Sequence, residues 1–275
     1  MKRVDLESPY GPQRLTAIVA GGSRTGKTHF LATWPRAVIL ADASEGGWTT
    51  IQHMPDESFY ELGRLPEVYK IETIDDFMEA VTYLEQNAAS EQIATVGIDS
   101  LTFYGDMALN VFESECKDGR QAYGKLGTHL RALMLRVHRL PFNVVWTALT
   151  KEGEDGQLGG IAVAGQTASR APARCDLWLY LNRGAVEYEA HTQNFGGYKA
   201  GHRFGTLLPP MLKQPTYKQL EKYLQLQPWT DRWAAKPAKK QKRPAKVAPS
   251  MVPETDGTLL VNDDSPEGED SNGTE

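Results

Sequence analysis

The sequence predicts an α/β fold, a mostly parallel sheet flanked by helices, with antiparallel strands at one edge. Apolar stretches of strand length alternate with helical stretches through most of the chain, and this order builds parallel sheets. A glycine-rich loop joins the first predicted strand to the first predicted helix. Late in the chain, residues 176–181 and 185–190 indicate a hairpin around Asn182-Arg183-Gly184, which would place antiparallel strands at an edge.

The predicted strands are short apolar runs bounded by polar or glycine-rich segments. Besides the hairpin, they cover residues 15–20, 36–41, 68–71, 93–98, 143–150 and 198–204. The predicted helices cover residues 29–34, 73–87, 102–116, 122–139 and 215–226. Thr73 is suited to cap the second of these helices, because Asp75 and Asp76 favour its first turn. Residues 52–66 are predicted to be irregular, and the aperiodic segment 151–169 is long enough for a loop with a function.

The composition is that of a globular protein, with 40% apolar and 24% charged residues in a chain of 275. We expect a lead-in over residues 1–14, one domain over residues 15–230 and a disordered tail over residues 231–275. The tail is divided by charge, since residues 234–249 carry six basic and no acidic residues, and residues 254–275 carry eight acidic and no basic ones. Because the rest of the chain is close to neutral, any contact with nucleic acid must be local.

Several protein classes are disfavoured by the sequence. Two isolated cysteines, Cys116 and Cys175, lack the spacing of a metal site or a disulfide framework. The first residues lack the apolar core of a secretory signal, and no apolar run is long enough to cross a membrane. The histidines are scattered, and no Gly-x-Ser-x-Gly nucleophile motif occurs. These features favour a soluble, cytoplasmic protein without a zinc site.

The glycine-rich loop matches the phosphate-binding pattern of Gly, four free positions and then Gly-Lys-Ser/Thr. Its residues are Gly21, Gly22, Ser23, Arg24, Thr25, Gly26, Lys27 and Thr28. Glycines let the backbone approach a ligand closely, and the N–H groups of the loop and of the following helix N-terminus favour phosphate oxygens. Lys27 would contact the β- and γ-phosphates, and the Thr28 hydroxyl would bind Mg²⁺. The context favours nucleotide binding over the alternative, a plain turn that contains a lysine.

Carboxylates follow the predicted strands at two places where they could serve this loop. Asp99 ends the strand 93–98 and is predicted to hold Mg²⁺; the alternative is an aspartate that caps the next helix or forms a turn. Hydrolysis also needs a group that activates water, and Glu45 and Asp42 both follow the second predicted strand. We assign this role to Glu45 and keep Asp42 as an alternative; the remaining possibility is that both are solvent-exposed loop residues.

Two further positions are candidates for contact with the γ-phosphate. Thr147 or Thr150, near the end of the strand 143–150, could supply a hydroxyl that senses it, and of the two we assign Thr150. Threonine is also common in strands for its β-propensity alone. Arg203 could stabilise the transition state from a neighbouring subunit, or be an ordinary surface arginine.

Together these segments resemble the RecA-like P-loop ATPases, and more narrowly the phage AAA/RecA-type ATPases of the Sak single-strand annealing recombinase group. The resemblance spans residues 13–227 and rests on the segments 21–28, 42–47, 96–100, 123–126, 144–151 and 199–203. It implies a RecA-like ATPase core over residues 15–230, with ATP and Mg²⁺ as cofactors. It also implies a catalytic glutamate after the second strand, and Glu45 fits with one extra residue in its loop.

The resemblance further implies partners. It implies a homo-oligomer with ATP at subunit interfaces, DNA-contacting loops, single-stranded DNA as a ligand and a single-strand-binding protein as a further partner. Residues 151–172 occupy the place of the second DNA-binding loop, and their basic residues are Lys151 and Arg170. Gly201-His202-Arg203 lacks the lysine of the Lys-x-Arg pattern that some relatives carry.

The sequence therefore favours a DNA-stimulated ATPase that acts on single-stranded DNA in recombination, annealing or replication. The alternatives are a P-loop kinase for a small molecule and an ATP-gated scaffold without enzymatic activity. A kinase would usually need an arginine-rich lid, and residues 151–169 contain no arginine. In the tail, we expect the acidic segment to compete with DNA for the basic segment, through attraction that salt weakens.

Overall fold

The computed structural model describes residues 14–232 of the chain. The strands there are β1 (Thr16–Gly21), β2 (Ala37–Asp42), β3 (Glu67–Ile71), β4 (Thr95–Asp99), β5 (Asn143–Ala148), β6 (Thr150–Lys151), β7 (Gly160–Ile161), β8 (Leu177–Arg183), β9 (Tyr188–His191), β10 (Gly201–His202) and β11 (Met211–Lys213). The α-helices are α1 (Lys27–Ala32), α2 (Trp48–Gln52), α3 (Ile74–Asn87), α4 (Leu101–Glu115), α5 (Gly119–Val137), α6 (Thr167–Arg170) and α7 (Tyr217–Leu224). Short 3-10 helices cover Asp56–Ser58, Pro172–Arg174 and Trp229–Arg232. The predicted lead-in, except for Arg14, and the predicted charged tail, except for its first two residues, lie outside the described residues.

A single sheet organises most of the described part of the chain, and its strand order is β11-β9-β8-β1-β5-β4-β2-β3. Strands β8, β1, β5, β4, β2 and β3 pair in parallel. Strands β9 and β10 pair antiparallel with β8, and β11 pairs antiparallel with β9. The predicted fold class, a mostly parallel sheet flanked by helices with antiparallel strands at one edge, is confirmed.

The apolar strand residues alternate between two faces of the sheet, and each face buries its own core. On one face, Ile18, Val144 and Trp146 pack with residues of α3, α4 and α5. On the other face, Val19 and Val145 pack with residues of α1 and α7. Because successive side chains of a strand point to opposite faces, strands that are apolar throughout need helices on both sides.

Side-chain caps fix where two of the helices begin. The Thr73 hydroxyl accepts a hydrogen bond from the Asp76 N–H (3.1 Å), and the Asp76 carboxylate accepts one from the Thr73 N–H (2.9 Å). This reciprocal pair satisfies two N–H groups that the helix itself leaves unpaired, and it confirms the predicted cap of α3. Thr216 and Gln219 form the same arrangement at the start of α7.

The prediction of one strand over residues 143–150 is wrong at its end. Strand β5 stops at Ala148, because the Leu149 N–H donates to Thr102 Oγ1 on α4 (2.9 Å). The Leu149 carbonyl in turn accepts from the Ala162 N–H (2.7 Å). Thr150 therefore begins β6, which pairs with β7 in a separate two-stranded ladder.

The other differences between the predicted and the observed secondary structure involve short elements. The segment 52–66, predicted as irregular, contains the last residue of α2 and a 3-10 helix, and the segment 151–169 contains β7 and most of α6. The strand predicted over 198–204 forms only at β10, and β11 is absent from the sequence prediction. Elements of two to five residues are too short for hydrophobic periodicity to show.

Candidate functional site

The phosphate-binding loop connects β1 to α1, so it lies at the carboxyl end of a central parallel strand. Two of its glycines are required by local geometry. A Cβ at Gly21 would lie 2.5 Å from the carbonyl oxygen of Leu181 on β8. Gly26 has a φ of 88°, in the left-handed region that favours glycine, and a Cβ there would lie 2.9 Å from the Tyr188 ring. The loop is thus held tightly between α1 and the β8–β9 hairpin.

Lys27 lies across this loop. Its ammonium donates hydrogen bonds to the carbonyl oxygens of Gly21 (3.1 Å) and Gly22 (2.6 Å), and the residue is 9% exposed. Burial lowers the pKa of Lys27, and the negative charges of Asp99 and Glu45 act in the opposite direction. A buried cation that is bonded only to neutral carbonyls is well placed to exchange them for phosphate oxygens.

Asp99 is held by hydroxyl groups from two other elements. The Thr28 hydroxyl donates to Asp99 Oδ2 (2.7 Å), and the Thr147 hydroxyl donates to Asp99 Oδ1. Thr147 reaches Asp99 because β5 lies between β1 and β4 in the sheet. The helix cap that follows is Ser100, whose hydroxyl accepts from the Phe103 N–H, so Asp99 does not cap α4.

The loop after β2 brings a further carboxylate to the site. A Cβ at Gly47 would lie 3.3 Å from both Asp99 Oδ2 and Thr28 Oγ1, so the backbone of this loop lies against the Asp99–Thr28 pair. The pKa of Glu45 is raised to about 7. Partial burial is the largest cause, the negative charges of Asp99 and Asp42 add to it, and Lys27 opposes the shift. By its surface accessibility Glu45 is an exposed residue at the edge of the site, so its carboxylate is open to water.

The two carboxylates of this loop differ in their contacts. Asp42 Oδ1 accepts hydrogen bonds from the Ser44 N–H (2.8 Å) and from the Ser44 hydroxyl. Among the described residues, the Glu45 carboxylate has no hydrogen-bond partner. Glu45 is therefore the carboxylate that is available to a water molecule, whereas Asp42 shapes its own turn.

The donor set at Thr28 and Asp99 fits Mg²⁺. This ion prefers oxygen ligands and is usually bound by one or two carboxylates together with substrate phosphates and water. Within residues 14–232, no group of three or more His, Cys, Asp or Glu side chains could hold a metal ion by itself. Burial is the main cause of the raised pKa of Glu45, and the negative charges of Asp99 and Asp42, which add to it, also favour a cation here. Thr28 and Asp99 are thus suited to hold Mg²⁺ jointly with nucleotide phosphates.

A cavity of about 380 Å³ adjoins the loop at Gly26 and His29. The Tyr188 ring lies on its wall, with its centroid 5.8 Å from that of His29, and the Arg183 guanidinium lies 5.9 Å from the Tyr188 centroid. An aromatic wall beside a phosphate-binding loop can pack against a flat base or a sugar. The sequence prediction missed this cavity, because it depends on how the hairpin folds back over α1.

Two predicted residues lie away from the loop. Thr150 begins β6, beyond the end of β5, and the hydroxyl that contacts Asp99 belongs to Thr147. Arg203 donates to the Ala173 carbonyl (2.6 Å) and pairs with Asp176 (3.5 Å). It follows β10, which pairs with the first residues of β8, whereas the phosphate-binding loop adjoins the last ones. A role for Arg203 towards a neighbouring subunit stays a prediction.

Comparison with known proteins identifies the family to which the chain belongs. No helix in the described part of the chain is long and apolar enough to cross a membrane. No curated protein matches the sequence. A family model described as an AAA domain matches residues 13–210, which is more than half of the chain and includes the loop, Glu45, Asp99 and Thr147. The chain therefore belongs to the AAA domain family of P-loop ATPases.

Proposed function

We propose that this protein hydrolyses ATP and uses the hydrolysis to act on single-stranded DNA in recombination, annealing or replication. The observation that carries the ATPase part is the pairing of two carboxylates with different environments. Asp99 is fixed by the hydroxyls of Thr28 and Thr147, whereas Glu45 lies nearby without a hydrogen-bond partner among the described residues and with a pKa of about 7. This difference in environment suits Asp99 to binding a cation and Glu45 to accepting a proton.

The residues of the chain then have distinct roles in hydrolysis. Lys27 exchanges the carbonyls of the loop for the β- and γ-phosphate oxygens and stabilises their charge. Thr28 and Asp99 hold Mg²⁺, which when bound neutralises charge on the phosphate oxygens. Glu45 accepts a proton from the water that attacks the γ-phosphorus, as the bond to the departing ADP oxygen breaks. Tyr188 packs against the nucleoside in the neighbouring cavity.

The proposed partners are supported by the resemblance to RecA-like ATPases and by the position of Arg203. Arg203 lies at the end of the sheet away from its own loop, as an arginine that serves a neighbouring subunit's nucleotide would. This position supports a homo-oligomer with ATP at subunit interfaces. Single-stranded DNA and a single-strand-binding protein are the further partners proposed, with the cytoplasm as the place of action.

ATP turnover measured with and without single-stranded DNA tests this function. We expect turnover that requires Mg²⁺ and increases when the DNA is added. Turnover that DNA leaves unchanged would remove the DNA part of the proposal. ATP binding without turnover would instead indicate an ATP-gated scaffold, and phosphate transfer to a small acceptor would indicate a kinase.

A further inference from the structure

A second cavity, of about 420 Å³, lies between α5 and the segment that contains α6 and the following 3-10 helix. Three arginines line it, Arg131 from α5, Arg170 from α6 and Arg174 from the 3-10 helix, together with Tyr123 from α5. We call these four residues the arginine groove. No carboxylate belongs to the lining of this cavity. It is separate from the nucleotide site and shares no residue with it.

The three guanidinium groups are unpaired among the described residues, where no ion pair or side-chain hydrogen bond involves Arg131, Arg170 or Arg174. Arg136, only a short distance further along α5, shows the contrast, since it pairs with Glu85 at 2.6 Å. Three like charges around one cavity repel each other, and an anion bound between them relieves the repulsion. The groove is therefore built to receive negative charge.

The helix wall of the groove is unusually open. Gly124 and Gly127 both lie within α5 and line the cavity, and a Cβ at either position would meet nothing within 4 Å. Glycine is less favourable than alanine inside a helix, and packing within the described residues does not require it here. Open space at two glycines lets a ligand backbone approach the helix closely.

Tyr123 provides a flat apolar surface at this groove, with 48% of its area exposed. An exposed aromatic ring next to unpaired arginines is the combination that binds single-stranded nucleic acid, where bases stack on rings and guanidinium groups contact phosphates. In a duplex the bases are already stacked on each other, so the ring would gain little. A small phosphate compound would use the arginines but leave Tyr123 without a role.

We propose that the arginine groove binds single-stranded DNA, with Arg131, Arg170 and Arg174 on its phosphates and Tyr123 stacked on a base. This inference rests on the proposed function and gives its DNA ligand a place on the molecule.

Binding of a fluorescent oligothymidine to the full chain tests the groove, measured by anisotropy over a salt series. The triple variant Arg131→Ala, Arg170→Ala, Arg174→Ala should bind more weakly, and its slope of log affinity against log salt should be reduced by about 0.7 for each phosphate that it no longer neutralises. Arg139→Ala, which removes an exposed arginine outside the groove, should bind like the wild type. Basal ATP turnover without DNA should be unchanged in both proteins, which shows that they are folded.

The proposed stacking of a base on Tyr123 is tested separately. Tyr123→Leu should weaken binding of oligothymidine by about 5- to 150-fold, the range expected for one stacked base. The same variant should bind an abasic oligonucleotide of equal length as the wild type does. If the wild type binds DNA and the triple variant binds it with equal affinity and salt slope, the groove is overturned while the proposed function stands. If the wild type binds no DNA at all, the groove and the DNA part of the proposed function are both overturned.

Discussion

Thr147 and Asp99 are joined across neighbouring strands by a hydrogen bond from the threonine hydroxyl to Asp99 Oδ1. With Thr28 on Oδ2, this bond fixes the carboxylate in one orientation beside the phosphate-binding loop. The orientation of Asp99 thus depends on β5 as well as on the loop itself.

Replacing Thr147 by valine keeps the shape of the side chain and removes the hydroxyl. We expect the free energy of unfolding to fall by about 1–3 kcal/mol, because Asp99 Oδ1 loses its buried donor. ATP turnover should fall by about 10- to 100-fold, because the carboxylate is no longer held in place. Thr150→Val is the matched control and should change neither quantity. Reduced turnover in Thr150→Val with normal turnover in Thr147→Val would return the role to Thr150.

Glu45→Gln should keep ATP binding and lose hydrolysis, because the amide has the size of the carboxylate but cannot accept the proton from water. Nucleotide binding is measured by calorimetry and hydrolysis by phosphate release. Asp42→Asn is the comparison and should retain most of its turnover, since Asp42 is engaged with Ser44. The assignment moves to Asp42 if the two variants show the opposite pattern.

The pKa of Glu45, raised to about 7 from an ordinary value of 4.5, predicts a pH dependence. Between these two values the folded protein holds the proton more tightly than the unfolded chain, so this group's contribution to stability declines as pH rises through that window. Carbon NMR of labelled glutamate carboxyl groups, with Glu45→Gln to identify the resonance, should show titration near pH 7 without Mg²⁺. Bound Mg²⁺ should lower that pKa, because a nearby cation favours the carboxylate. A resonance that titrates near 4.5 in the metal-free protein contradicts the arrangement.

Tyr188→Ala should separate recognition of the nucleoside from recognition of the phosphates. The ring lines the cavity beside Gly26, so its loss should weaken ATP binding by about tenfold, the effect of a modest aromatic contact. Affinity for inorganic tripolyphosphate should be unchanged, because the loop still supplies the phosphate contacts. Tyr69→Ala, at an exposed tyrosine of strand β3, serves as the control. Equal losses for both ligands would show that Tyr188 supports the loop rather than the nucleoside.

The parts that the sequence predicts well are those encoded by neighbouring residues. Local spacing of residues determines the loop from Gly21 to Thr28, the apolar strands and the Thr73 cap. The sequence alone is therefore enough to predict them. Local spacing does not decide between Thr147 and Thr150, because β5 ends where Thr102 of α4 binds the Leu149 N–H. A side chain from a distant helix therefore decides which threonine lies next to Asp99.

Contacts between distant segments explain the other omissions. Tyr188 reaches the loop only because the β8–β9 hairpin extends the sheet beside β1. The arginine groove unites Arg131 with Arg170 and Arg174, residues of separate elements whose spacing in the sequence follows no motif. Neither arrangement has a periodic pattern, so each requires the tertiary structure to be seen.

ATP turnover by Lys27→Ala tests directly whether this loop is the site of an ATPase. The variant removes the ammonium that contacts the carbonyls of Gly21 and Gly22, and its fold is checked by circular dichroism. We predict a loss of turnover of about 100-fold or more, as for removal of a group that stabilises transition-state charge. Lys222→Ala, on the exposed surface of α7, should retain wild-type turnover. A folded Lys27→Ala protein that hydrolyses ATP at the wild-type rate would show that this loop is not the site of hydrolysis.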